Sequence, residues 1–252
     1  MSIRKVLTMV LALILVASLA VPTFAATGYG PGTVNPPSND TSSSSSGSGS
    51  GGGGGGVGAY TPPSANNPVP ATAAQVAAAA TAAINKAASG QQAVVSLTNV
   101  STVPAAALKN VFAQAASAIV QLDAKEGKAI VSRVYIDAAT AAQLSGTVDF
   151  SVTTKGASVQ SAVNTFEKFF DNNVAVIGLG QKGAYGANIK MAVKVDLSKL
   201  NTSNLIFYAY NKETGKYARL AVAYRIDANG YLHFTTPVGG AIIISDKPLA
   251  RK

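Results

Sequence analysis

The sequence predicts an α+β domain whose larger part is an antiparallel β-sandwich-like unit, with about three helices packed at one face or end. Three observations carry this. From Thr147 onward apolar residues recur with period two, most plainly at Ile189, Met191, Val193, Val195 and Leu197, which alternate with Lys190, Ala192, Lys194 and Asp196. Two polar turns, Asn211 to Gly215 and Asp227 to Gly230, separate apolar runs at hairpin spacing. Three other stretches carry apolar residues at helical spacing instead.

In chain order, Thr72 and Gln75 fit a capping box, and Val76, Ala80, Ala83, Ile84 and Ala87 follow on one helical face until Gly90. This predicts a helix over 72–88. Residues 93–99 read as a strand, and 104–116 as a second helix with Pro104 in its first turn. Strands at 119–122 and 129–136 flank the polar stretch from Asp123 to Lys128. Val148, Phe150 and Val152 alternate next, then a third helix over 158–170 carries Val159, Val163, Phe166 and Phe170. Separate strands are expected at 174–179, 189–197, 205–210, 217–226, 231–236 and 241–245.

The first 25 residues read as an export signal. Arg4 and Lys5 precede the apolar run Val6 to Val21, and Thr23 and Ala25 place small residues for cleavage between Ala25 and Ala26. The run is somewhat short of the roughly 20 residues that span a bilayer, so no membrane span is expected after cleavage. Residues 26–70 hold a serine run (Ser42 to Ser46), a glycine run (Gly51 to Gly56) and repeated prolines. Such a segment buries too little apolar area to offset the cost of ordering its backbone, which predicts a disordered linker. One domain, 71–252, remains.

Composition closes several function classes. The chain has no Cys and one His, which excludes disulfides, thiolate metal sites, a cysteine nucleophile and multi-His metal centres. No cofactor is expected. The net charge of +9 becomes +7 when Arg4 and Lys5 leave with the signal. Dispersed lysines dominate and only Arg133, Arg219, Arg225 and Arg251 remain, which does not resemble a base- or phosphate-reading surface, so no nucleic acid is expected as a partner. Wall polymers, acidic polysaccharide or another surface protein are the partners such a charge suits. With no Cys to take a lipid and no sorting motif near the C-terminus, any hold on the wall is expected to be loose and salt-labile.

Few motifs suggest chemistry. Gly178, Gly180 and Gly183 follow an apolar run as in a dinucleotide fingerprint, but that motif needs a helix directly after the glycines, and an alternating strand follows instead. A flexible loop joining two antiparallel strands is expected. His233 stands within a strand with no evident partner, and Asp227 with Asn229 reads as a β-turn more readily than as a calcium loop. Tyr208, Tyr210, Tyr217, Tyr224 and Tyr231 cluster in the last hairpins. They are either an aromatic surface for sugar rings or a partner, or cross-strand pairs packed beneath a helix.

Between Val193 and Lys247 the chain resembles the C-terminal β-rich module of uncharacterised exported proteins from clostridial-type Gram-positive bacteria. The shared pattern is a strand with aromatics, a turn like Asn211-Lys212-Glu213-Thr214-Gly215, then Asp227-Ala228-Asn229-Gly230 and a final strand. The chain departs from it at Gly239-Gly240-Ala241-Ile242 and in lacking Trp. The resemblance implies an extracellular or cell-surface, non-catalytic protein and supplies no catalytic residues. A secreted, non-enzymatic surface or matrix-associated module is the function expected. A carbohydrate-binding module using the tyrosines is the alternative, and a secreted glycan hydrolase the outsider.

Overall fold

The computed structural model describes residues 32–33, 68–87 and 90–252. The export signal, its Ala25–Ala26 cleavage site and nearly all of the 26–70 linker lie outside these residues. The described chain is mostly β, with a mixed sheet, a two-stranded sheet and four helices.

Gly32–Thr33 form the short strand β1. Helix α1 (Ala73–Lys86) begins on the predicted capping box: the Gln75 amide donates to Thr72 Oγ1 at 3.2 Å, and the Thr72 amide to Gln75 Oε1 at 2.8 Å. Its alanine-rich face lies against β2 (Val94–Thr98), burying Val76 and Ala80. Strand β3 (Thr102–Pro104) runs directly into α2 (Ala105–Gln114), which buries Leu108, Val111 and Phe112. Pro104 suits the N-cap because its missing N–H would have no partner there. The next strand, β4 (Ile119–Glu126), pairs with β2 in parallel, from Val94↔Ile119 to Thr98↔Asp123. Parallel neighbours need a crossover of a dozen or more residues, and 99–118 supplies it. The sheet is therefore mixed, which corrects the expectation of a wholly antiparallel one.

Strand β5 (Ala129–Ile136) returns antiparallel to β4. Pairing continues to Glu126↔Ala129, so only Gly127 and Lys128 turn and the polar stretch is mostly strand. An unanticipated short helix, α3 (Ala138–Gln143), follows, with Asp137 as its N-cap. Then come β6 (Thr147–Asp149), paired with β3, β7 (Val152–Thr153), and α4 (Ala157–Phe169), which buries Val159, Ala162 and Phe166.

The remaining strands are β8 (Ala175–Val193), β9 (Ile206–Asn211), β10 (Lys216–Leu220), β11 (Arg225–Ile226) and β12 (Leu232–Ser245). Both β8 and β12 are continuous where two separate strands were expected. They pair antiparallel at each end, Val193↔Leu232 to Ile189↔Thr236 and Leu179↔Gly240 to Ala175↔Ile244. In the middle only Ala184 and Val238 pair, and the register shifts on either side. Residues 180–183 thus stand opposite Gly239 alone, and 185–188 opposite Pro237 alone. Proline cannot donate to a ladder, so it sits at a bulge and bends the strand without ending it.

The sheet order is β1-β10-β9-β12-β8-β5-β4-β2, with β7 against β8 and β11 against β12. Strand β9 meets only the C-terminal half of β12, and β5 only the C-terminal half of β8. The two long strands therefore join one group of strands to another. One shared core holds Ile177, Phe207 and Ile242 from the first group with Val120, Val134 and Met191 from the second, closed by Leu108 and Val111 of α2. A second core lies under α4, where Phe166 covers Val176, Tyr210 and Ile243.

Candidate functional site

The β4–β5 and β9–β10 hairpins lie on opposite sides of the β8–β12 pair, and both line one cleft of about 1030 Å³. Its floor is the bulged middle of β8 and β12, residues 178–184 and 238–241. Glycine dominates there, so main chain forms much of the surface. Two of these glycines are required by close approach: a Cβ on Gly178 would lie 2.7 Å from Thr153 Cγ2, and one on Gly239 would collide with the Gln181 carbonyl oxygen. The bulges that bend the long strands thus also open the cleft.

Charged side chains stand around the cleft. Lys125 and Glu126 come from the β4–β5 hairpin, Lys212, Glu213 and Lys216 from the β9–β10 hairpin, and Lys182 from the β8 bulge. Lys182 Nζ lies 2.8 Å from Glu213 Oε1, and this hydrogen bond with its charge attraction raises the lysine pKa and lowers that of the glutamate. Glu126 pairs with Lys155 at 3.1 Å. Lys125, Lys212 and Lys216 make no ion pair among the described residues. A further wall is held by Asp149, whose Oδ1 accepts from the Ser151 amide at 2.9 Å and hydroxyl at 2.6 Å, while the Asp149 amide donates to Gln181 Oε1 at 3.1 Å. Tyr185 stacks on Phe150 just behind this wall, and burial pushes its phenol pKa well above the usual range.

The five tyrosines are not one surface. Tyr208 and Tyr210 are buried, 7% and 4% exposed, on the β9 face that α4 covers, and Phe166 and Phe170 enclose half-buried Tyr217 with them. Tyr224 lies on the opposite face beside Phe207, its hydroxyl donating to Thr202 O at 3.0 Å and accepting from the Leu205 amide at 2.8 Å. Tyr231 is buried on a third site, its hydroxyl donating to Ile130 O at 2.6 Å and its ring beneath Arg133 and Lys194. Of the two readings of the cluster, packing is the one Tyr208 and Tyr210 show and an exposed row is not, because the strand face they share is the face α4 needs.

His233 has the partners that sequence reading missed. Its Nε2 lies 2.8 Å from Asp227 Oδ2, and its Nδ1 3.3 Å from Arg225 Nη2. Arginine only donates, so Nδ1 accepts and the proton sits on Nε2. That hydrogen bond, with the Tyr231 and Asn229 amides donating to Oδ1, lowers the Asp227 pKa. Asp227 and Asn229 thus form the expected turn. The cross-strand register Arg225↔His233 brings the histidine to its partner, a pairing invisible before strand order is known. The glycine motif at 178–183 lies inside β8 with no helix after it, and it is a bulge where a flexible loop was expected.

Among the described residues no group of three or more His, Asp or Glu side chains is placed to hold a metal, and no helix is long and apolar enough to cross a membrane. Comparison with protein-family models, curated proteins and solved structures gives no match. The cleft itself escaped sequence reading. Its only signal was Gly and Pro in the middle of two alternating runs, which also fits a pair of loops.

Proposed function

We propose that this chain is an exported, non-catalytic binding domain acting at or near the cell surface, and that it binds through the cleft between the two hairpins. The observation that carries this is the cleft itself: a preformed concavity of about 1030 Å³, floored largely by main chain and edged by charged side chains. Export is supported by the basic, apolar and small-residue signature of residues 4–26. The finer architecture we assign is sandwich-like, with two strand groups sharing one core through the bent β8 and β12. In this account Tyr208, Tyr210 and Tyr217 hold α4, Tyr224 and Tyr231 pack elsewhere, and none of the five stacks on sugars.

The experiment is an array of wall polymers and polysaccharides probed with the 26–252 chain and with Ala184→Trp. Ala184 is exposed and lines the cleft, so a large ring there fills the site without disturbing a core. Saturable binding that Ala184→Trp abolishes is the expected outcome. Polysaccharide turnover, lost on substituting one carboxylate, would refute the non-catalytic assignment.

A further inference from the structure

We propose that the cleft holds a polyol phosphate, a chain of alditol units joined by phosphodiesters; this builds on the cleft being the binding site and adds its ligand class. Charge comes first. Both glutamates lining the cleft are already engaged, Glu126 by Lys155 and Glu213 by Lys182. Lys125, Lys212 and Lys216 are left as positive charge with no carboxylate partner among the described residues. A ligand that neutralises them must carry several negative charges along its length.

The type of cation agrees with this. Among the described residues every cation lining the cleft is lysine, so lysines dispersed in the sequence gather here. The planar arginine fork matches carboxylate and phosphate alike in two parallel hydrogen bonds, whereas an ammonium is a compact point charge on a flexible stem. Such point charges suit phosphodiester oxygens spaced along a chain, which present their charge from many directions and need no fixed two-bond geometry. The shape agrees. Among the described residues Tyr210 and Tyr217 are the only aromatics lining the cleft; the first is buried and the second is held edge-on by Phe166 and Phe170 at 5.8 and 5.5 Å. Neither described ring offers a free plane to stack on a pyranose ring. What is offered is a strip of glycine and alanine main chain, which suits an unbranched, ringless backbone.

The test is titration calorimetry of the 26–252 chain with synthetic oligo(glycerol phosphate), with polygalacturonate and dextran as separate arms, over a range of salt. Saturable binding to oligo(glycerol phosphate) alone is expected, weakening steeply with salt. Combined Lys125→Ala, Lys212→Ala and Lys216→Ala should weaken it by about tenfold or more and flatten the salt dependence. Glu213→Gln, which frees Lys182, should tighten it by a few-fold, a gain that misfolding cannot produce. Polygalacturonate binding as tight as the phosphate oligomer, an unaffected triple variant, or no binding in any arm overturns the proposal. Binding of dextran or polygalacturonate alone, abolished by Ala184→Trp, keeps the cleft as the site and rejects the polyol phosphate.

Discussion

Phe166 meets Tyr210 edge-on beneath α4, with ring centroids 5.0 Å apart and planes at 87°. The contact shows why an aromatic-rich strand need not be a binding surface. Ile206, Tyr208 and Tyr210 alternate onto the β9 face opposite Phe207, and α4 supplies Val159, Ala162 and Phe166 to cover them. Edge-to-face pairs of this kind add about 0.5–1.5 kcal/mol beyond simple burial.

Phe166 is fully buried, so Phe166→Ala should cost about 3–5 kcal/mol, read as a shift in urea midpoint. A loss below about 1 kcal/mol would mean that α4 is not docked on the sheet.

Asp137 links α3 to β8. Burial opposes its ionisation, but hydrogen bonds from the Thr140 side chain and amide and the Lys190 ammonium, 2.9 Å away, outweigh that and hold its pKa at about 2. A depressed carboxyl stabilises the fold fully above its unfolded value of 3.8, and the contribution fades as pH falls toward about 2. The side chain is a third exposed, so solvent screening limits the ionic part to about 1 kcal/mol. Asp137→Asn, which keeps a capping side chain, should unfold at lower urea than the wild type at pH 7 and converge with it near pH 2. A gap that persists at low pH would contradict the ionic origin.

Buried Asn172 ties down the C-terminal segment. Its Nδ2 donates to Ser245 Oγ at 3.1 Å, Pro248 O at 3.2 Å and Lys247 O at 3.3 Å, and its Oδ1 accepts from the Ala250 amide at 3.0 Å. Lys252 Nζ then donates to Glu167 O at the end of α4. Asn172→Ala should cost about 1–3 kcal/mol and expose residues 246–252 to carboxypeptidase. Unchanged digestion would show that the segment is held by other contacts.

Much of the fold was legible because local signals and tertiary structure agree. The Thr72–Gln75 box, the apolar stripe of α4 and the Asn211 to Gly215 turn each act within a few residues. What was missed depends on distant partners. The parallel β2–β4 pairing is set by how α2 crosses over. Pro237, Gly239 and Gly240 read as a break because nothing local says that β8 will bulge beside them. Asp137 with Thr140 is a capping signal, but Ala138–Gln143 is too short to show helical periodicity. The cleft follows from those bulges, so it was hidden for the same reason.

The cleft between the hairpins is the central claim, and hydrogen exchange of the 26–252 chain tests it most directly, with and without whichever wall polymer the chain retains. Slowed amides are predicted at 125–126, 179–184, 212–218 and 238–241, the stretches that line the cleft. Unchanged exchange there, with slowing instead across the sheet face that carries Gln121, Tyr135 and Lys190, would place the binding surface elsewhere and contradict the account.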